Sequence, residues 1–172
     1  MKIEVLYPEV CCLFGDKANM RYFKLCLPDA EFIETPIKDQ PRFLTEDVDM
    51  VYIGSCSESN QEKILSRLKG YEERINALIE KGVVFLMTGN AFEIFGKYIE
   101  NADGTKIDGL NIFSFNSVRT IPARHNSLVL GKYENIDIHI DTFRVEWDNY
   151  SILPNYCAGF GKNSWAITHL VV

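Results

Sequence analysis

Few residues of this chain have the chemistry to attack a bond, move a proton or cradle a ligand: five cysteines, three histidines, and the glycines that close apolar runs. A thiol becomes a nucleophile only where a positive group or a helix terminus lowers its pKa. Cys56 sits in Gly54-Ser55-Cys56-Ser57, directly after the apolar run Met50-Val51-Tyr52-Ile53. That is a placement from which it could face a crevice, although a small buried hydrophobe is the simpler reading. Adjacent Cys11 and Cys12 read as loop packing. His125, in Ala-Arg-His-Asn, reads as a surface-loop residue, and His139 lies in an alternating run beside Asp137 and Asp141. Neither histidine has a partner at metal-ligand spacing, so no metal is expected.

The stretch with the clearest mechanical signature is Lys81 to Gly96, KGVVFLMTGNAFEIFG. Val83 to Met87 is short and bounded, as a buried parallel strand should be. Thr88-Gly89-Asn90 supplies turn chemistry, and Ala91 to Phe95 resumes with helical spacing. A strand entering a sharp turn and then a helix pushes one side chain over the carboxyl edge of an open α/β sheet. Here that apex is Gly89, which has no side chain.

The elements that would position this turn follow in order. Lys2 to Tyr7 reads as a strand ended by Pro8. Asp16 is expected to cap a helix over Asn19 to Leu27, stopped by Pro28. A second strand, Glu31 to Thr35, stops at Pro36, and the polar segment Ile37 to Asp49 reads as a connection over the sheet edge. Met50 to Ile53 is a third strand. Ile64, Leu65 and Leu68, then Ile75, Leu78 and Ile79 beyond Gly70, have helical spacing. This alternation predicts a flavodoxin-like, doubly wound α/β fold with a mostly parallel sheet and right-handed connections. From Gly109 to Phe115 onward a β-rich half is expected, with an alternating strand over Asp137 to Trp147 and a last strand at Thr168 to Val172.

At 172 residues the chain suits a single domain, residues 1–172, with a core that needs no staples. A net charge of −6 argues against a nucleic-acid or anionic-membrane partner, since both select basic faces. The odd, irregularly spaced cysteines suggest reduced thiols and a cytoplasmic setting. There is no signal-peptide pattern and no apolar run of membrane-spanning length.

In the predicted sheet, three glycine-bearing loops meet at the carboxyl edge: Phe14-Gly15-Asp16, Gly54-Ser55-Cys56 and Thr88-Gly89-Asn90. Ligands of such folds bind in that crevice, where glycine lets backbone N–H groups approach closely. Gly15, Asp16, Gly54, Ser55, Asn90 and Glu93 are the candidate ligand-binding residues. The segment LYPEVCCLFGDKANMRYFK resembles the opening of CobB/CobQ-type class I glutamine amidotransferases, which include cobyric acid synthases and the glutaminase subunit of lipid II isoglutaminyl synthase. The resemblance continues through VYIGSCSESNQEKIL, FLMTGNAFEIFG, DGLNIFSF and SWAITHLVV, in the family's order.

The resemblance implies a cysteine at the elbow that attacks the glutamine amide, a histidine that activates it, and backbone N–H groups that hold the oxyanion. The ammonia passes to an ATP-dependent amide ligase in cell-wall or cobalamin-type metabolism. Here the cysteine position falls on Gly89, the next two family glycines on Asn90 and Ala91, and the family glutamine on Glu93. Ser55 and Cys56 stand where the oxyanion loop usually has glycines. His169 falls at the catalytic histidine, as a relic of the pair or an ordinary strand residue. The family usually continues further, so the chain looks shortened at its carboxyl end. Loss of a nucleophile that works with a base costs orders of magnitude in rate. The expectation is a glutamine amidotransferase-like protein without glutaminase activity and without a cofactor, binding a glutamine-like small molecule or a ligase subunit. Alternatives are an active glutaminase using displaced Cys56, or a flavodoxin-like binder of a small ligand such as a nucleotide or flavin. The second lacks a G-x-G-x-x-G fingerprint and a Walker lysine.

Overall fold

The computed structural model describes residues 1–119 and the strands 125–133, 136–144 and 164–167. The main sheet has five strands: β1 (Lys2–Leu6), β2 (Glu31–Thr35), β3 (Met50–Ile53), β4 (Val84–Thr88) and β10 (Ser164–Ile167), in the order β10-β4-β3-β1-β2. Every neighbouring pair is parallel. The chain steps from β1 outward to β2, then crosses back to β3 on the other side of β1. That reversal between β1 and β3 is the switch point at which such sheets open a crevice.

Alternation along each strand sends its residues to two cores. Leu6, Val51, Ile53, Phe85 and Met87 pack with Ile64, Leu65 and Leu68 of α2 (Glu58–Leu68) and Ile75 and Leu78 of α3 (Glu72–Lys81). Ile3, Val5, Met50, Tyr52 and Leu86 form the second core with Met20 of α1 (Asp16–Cys26). Helices on both faces make the sheet doubly wound, as the sequence predicts. α2 carries a Ser57 cap, whose hydroxyl accepts the Asn60 N–H at 3.3 Å. α3 ends at Gly82 in the left-handed region, φ 100°.

Two sequence expectations change here. Asp16 is not the cap of α1: Gly15 holds that position at φ 85°, and Asp16 is the first helical residue with its carboxylate turned toward the neighbouring loops. The segment after β4, Gly89–Phe95, is a 3₁₀ helix rather than an α-helix. Its carbonyls are claimed from outside. Ile94 O accepts the Leu110 N–H, and Phe95 O accepts those of Ile112 and Phe113. Residues 109–115 therefore lie against this segment and are not a strand. Phe92 stacks on Phe115 with 4.4 Å between ring centroids, which sets the fit.

The β-rich half begins with β5 (Tyr98–Glu100), β6 (Lys106–Asp108) and β7 (Ser117–Val118), a small sheet in the order β6-β5-β7. Strands β8 (His125–Tyr133) and β9 (Ile136–Arg144) form an antiparallel pair, so His125 opens a strand rather than lying in the expected loop. The last strand, β10, ends at Ile167, and the predicted Thr168 to Val172 lies outside the described residues.

Candidate functional site

The three glycine-bearing loops do meet at the carboxyl edge, and one side chain holds them together. Asp16 is 4% exposed. Its Oδ1 accepts hydrogen bonds from the Ser55 N–H at 3.0 Å, the Thr88 hydroxyl at 2.6 Å and the Tyr52 hydroxyl at 3.2 Å. Its Oδ2 accepts from the Ser55 hydroxyl at 2.6 Å and the Phe14 N–H at 3.3 Å. Burial by itself would raise the Asp16 pKa. The bonds from the Ser55 and Thr88 hydroxyls and from backbone N–H groups outweigh it and hold the carboxyl below its ordinary value. Burial pushes the Tyr52 phenol the other way, up to about 12, so it stays a neutral donor.

Gly89 has φ +55°, the left-handed region that a sharp strand-to-helix turn demands. A Cβ built on Gly89 would stand 2.9 Å from Ser55 Cβ, well inside carbon–carbon contact distance. Gly54 has no room either: its Cβ would run into the Cys11 carbonyl and stand 2.8 Å from Asp16 Cβ. Around Gly15 nothing lies within 4 Å, so its glycine serves the backbone angle alone.

The N–H groups of the second loop are engaged within the protein. That of Ser55 goes to Asp16, and that of Cys56 donates to Asn90 Oδ1 at 3.0 Å. Asn90 completes a two-point clasp, its Nδ2 donating to the Cys56 carbonyl at 2.7 Å. Cys56 itself is fully buried in the core beneath the loop. Its neighbour Cys11 has a thiol pKa pushed far up, first by a hydrogen bond with Cys56 and then by burial.

Glu93 is buried under the elbow. Its Oε2 accepts from Gln61 Nε2 at 2.8 Å, and the same nitrogen donates to the Asn90 carbonyl at 2.8 Å. Arg119 donates to Gln61 Oε1, and its other terminal nitrogen to Asn101 Oδ1 at 2.8 Å. Gln61 entered the sequence reading only within the resembling stretch VYIGSCSESNQEKIL and not as a site residue, and Arg119 did not enter it. Gln61 did leave a signal, as a polar residue sharing the apolar face of α2 with Ile64, Leu65 and Leu68. Arg119 left none.

The structure thus brings together Gly15, Asp16, Gly54, Ser55, Cys56, Gly89, Asn90 and Glu93. His169 lies outside the described residues; in sequence it follows β10, whose Ile167 pairs with Thr88. Among the described residues no cluster of histidine, cysteine or carboxylate could hold a metal ion, and no helix is long and apolar enough to cross a membrane. A separate groove of about 250 Å³ opens between α1 and the sheet, lined by Lys17, Arg21, Lys24, Glu34 and Tyr52 among others. It shares Asp16 with the crevice but not Gly89.

Comparison with known proteins supplies the family. The CobB/CobQ-like glutamine amidotransferase domain matches residues 2–144. Among solved structures, PurLQS from Thermotoga maritima is similar over 86% of this chain and 70% of that one, at 13% identity and a TM-score of 0.47. No curated protein matches by sequence.

Proposed function

The chain belongs to the CobB/CobQ-like glutamine amidotransferase family, and from that premise we propose that it keeps the family's crevice without the family's hydrolysis of glutamine. Its role is then that of a binding or partner subunit, working beside an ATP-dependent amide ligase of the kind that consumes ammonia in cell-wall or cobalamin-type metabolism. One observation carries the reading. The turn at Gly89 has the backbone of a nucleophile elbow, φ +55°, and no side chain to attack with.

The rest of the crevice supports it. Hydrolysis needs donors aimed at the developing oxyanion, and the N–H groups of Ser55 and Cys56 are bonded to Asp16 and Asn90. A nucleophilic thiol needs access and a depressed pKa, and Cys56 is fully buried among apolar side chains. His169 has no thiol at residue 89 to activate. Asp16, Ser55 and Asn90, assigned to ligand binding from the sequence, act in this reading first as the clasp that closes the crevice.

The test is glutamate release from glutamine by the purified full chain and by Cys56→Ser. The reading expects both at the rate of buffer alone. Release by the parent chain that disappears in Cys56→Ser would replace it with the displaced-nucleophile reading.

A further inference from the structure

We infer that Ser55 is the stopper of the elbow: side chains at positions 55 and 89 exclude one another, so a side chain returned to residue 89 alone does not fit the crevice. The inference deepens the proposed function, since it takes Gly89 as the nucleophile position.

The steric argument is specific. The Cβ that any other residue would bring to position 89 falls 2.9 Å from Ser55 Cβ but 3.9 Å from Ser55 Oγ. The conflict is therefore with the first side-chain atom, and turning the serine about χ1 moves only the hydroxyl. Relief must come from the backbone of residue 89 or of residue 55, and the latter is held on several sides. Its N–H donates to Asp16 Oδ1 at 3.0 Å, and its carbonyl accepts the Leu13 N–H at 3.0 Å. The next residue is gripped at both its N–H and its carbonyl by Asn90. The Ser55 hydroxyl, donating to Asp16 Oδ2 at 2.6 Å, adds a further anchor. In so rigid a setting, removing the Cβ of residue 55 is the cheap way to admit a side chain at residue 89. A nucleophile at the turn and the present serine belong to alternative versions of the site.

The experiment is a stability cycle that needs no substrate. Gly89→Ala adds only the Cβ, and is made in the parent chain, in Ser55→Gly and in Ser55→Ala. Positive φ at residue 89 penalises alanine in every background, so that cost cancels in the comparison. Ser55→Ala loses the hydroxyl bond but keeps the Cβ, which separates volume from hydrogen bonding. The expected result is a fall in Tm on Gly89→Ala at least twice as large in the parent and Ser55→Ala backgrounds as in Ser55→Gly. A Gly89→Ala chain that folds only when combined with Ser55→Gly is the same result in stronger form. Equal falls in all three backgrounds would overturn the inference. So would failure of the Ser55→Gly, Gly89→Ala double variant to fold while Ser55→Gly alone does. A second readout uses Gly89→Cys. Alkylation of the new thiol by iodoacetamide, read on the peptide, should be at least ten times faster in the Ser55→Gly background than in the parent, and equal rates would contradict the exclusion. Glutamate release by the parent chain would sink the proposed function and leave this cycle standing. A flat cycle would do the reverse.

Discussion

The two edges of the parallel sheet are held by different physics. At the amino edge, where the strands begin, several ties are ion pairs between half-buried or exposed side chains, while farther in the buried Glu4 carboxylate accepts the Arg42 and Phe43 N–H groups. Lys2 Nζ meets Glu46 at 2.6 Å, Arg42 meets Glu46 at 3.0 Å, and Lys81 meets Asp47 at 3.2 Å. At the carboxyl edge the buried carboxylate of Asp16 gathers the Ser55, Thr88, Tyr52 and Phe14 donors. Exposed ion pairs contribute little, because water screens them and two long side chains must be ordered. A buried carboxylate is costly to desolvate, so it must be fully served by donors. The carboxyl edge is therefore the more exacting of the two, and its polar groups are spent on each other.

The largest expected difference between the edges comes from Asp16→Asn. It removes the charge while the Ser55 and Thr88 hydroxyls still point at it, and should cost about 3 kcal/mol in denaturant unfolding. A loss below about 1 kcal/mol would place the strength of this edge elsewhere. Gln61→Leu comes next. It deletes the donor to Asn90 O and Glu93 and the acceptor of Arg119, and should cost about 2 kcal/mol by the same measurement. An unchanged midpoint would show the cluster under the elbow to be dispensable. At the amino edge Lys81→Ala should leave the unfolding midpoint unmoved, since both it and Asp47 are mostly exposed. A clear loss there would erase the contrast.

Acid sharpens the same comparison. The folded pKa of Asp16 is lower than its unfolded value, so the unfolded chain binds its proton first as pH falls. The stability it provides is complete above the ordinary aspartate value of about 3.9, and drains as pH drops through the lower folded value. Stability measured between about pH 5 and 2 should therefore fall less steeply in Asp16→Asn than in the parent chain. Parallel curves would mean that Asp16 is not the group being titrated.

Much of the scaffold was legible in the residues, for local reasons. Strands β2 and β3 have their expected bounds because Pro36 and Gly54 punctuate them, and β4 is displaced by one residue. The glycine loops and their meeting at one edge followed from the order of elements. What could not be read was the choice of partners across the chain. Asp16 reads as a helix cap because its neighbours in sequence allow one. Its donors lie 39 residues away at Ser55 and 72 at Thr88. The 3₁₀ form of Gly89–Phe95 likewise depends on carbonyl bonds to residues 110–113 and on the stacked Phe92 and Phe115. The steric bar between residues 55 and 89 is a property of two loops seen together, and neither loop announces it alone.

The central claim, that the crevice keeps the elbow and offers glutamine nothing to react with, is tested most directly by a glutamine analogue that traps nucleophiles. The full chain would be incubated with 6-diazo-5-oxo-L-norleucine and its intact mass measured. The account predicts an unchanged mass after prolonged exposure. A stoichiometric adduct mapped to Cys56, or to any residue lining the three loops, would contradict it.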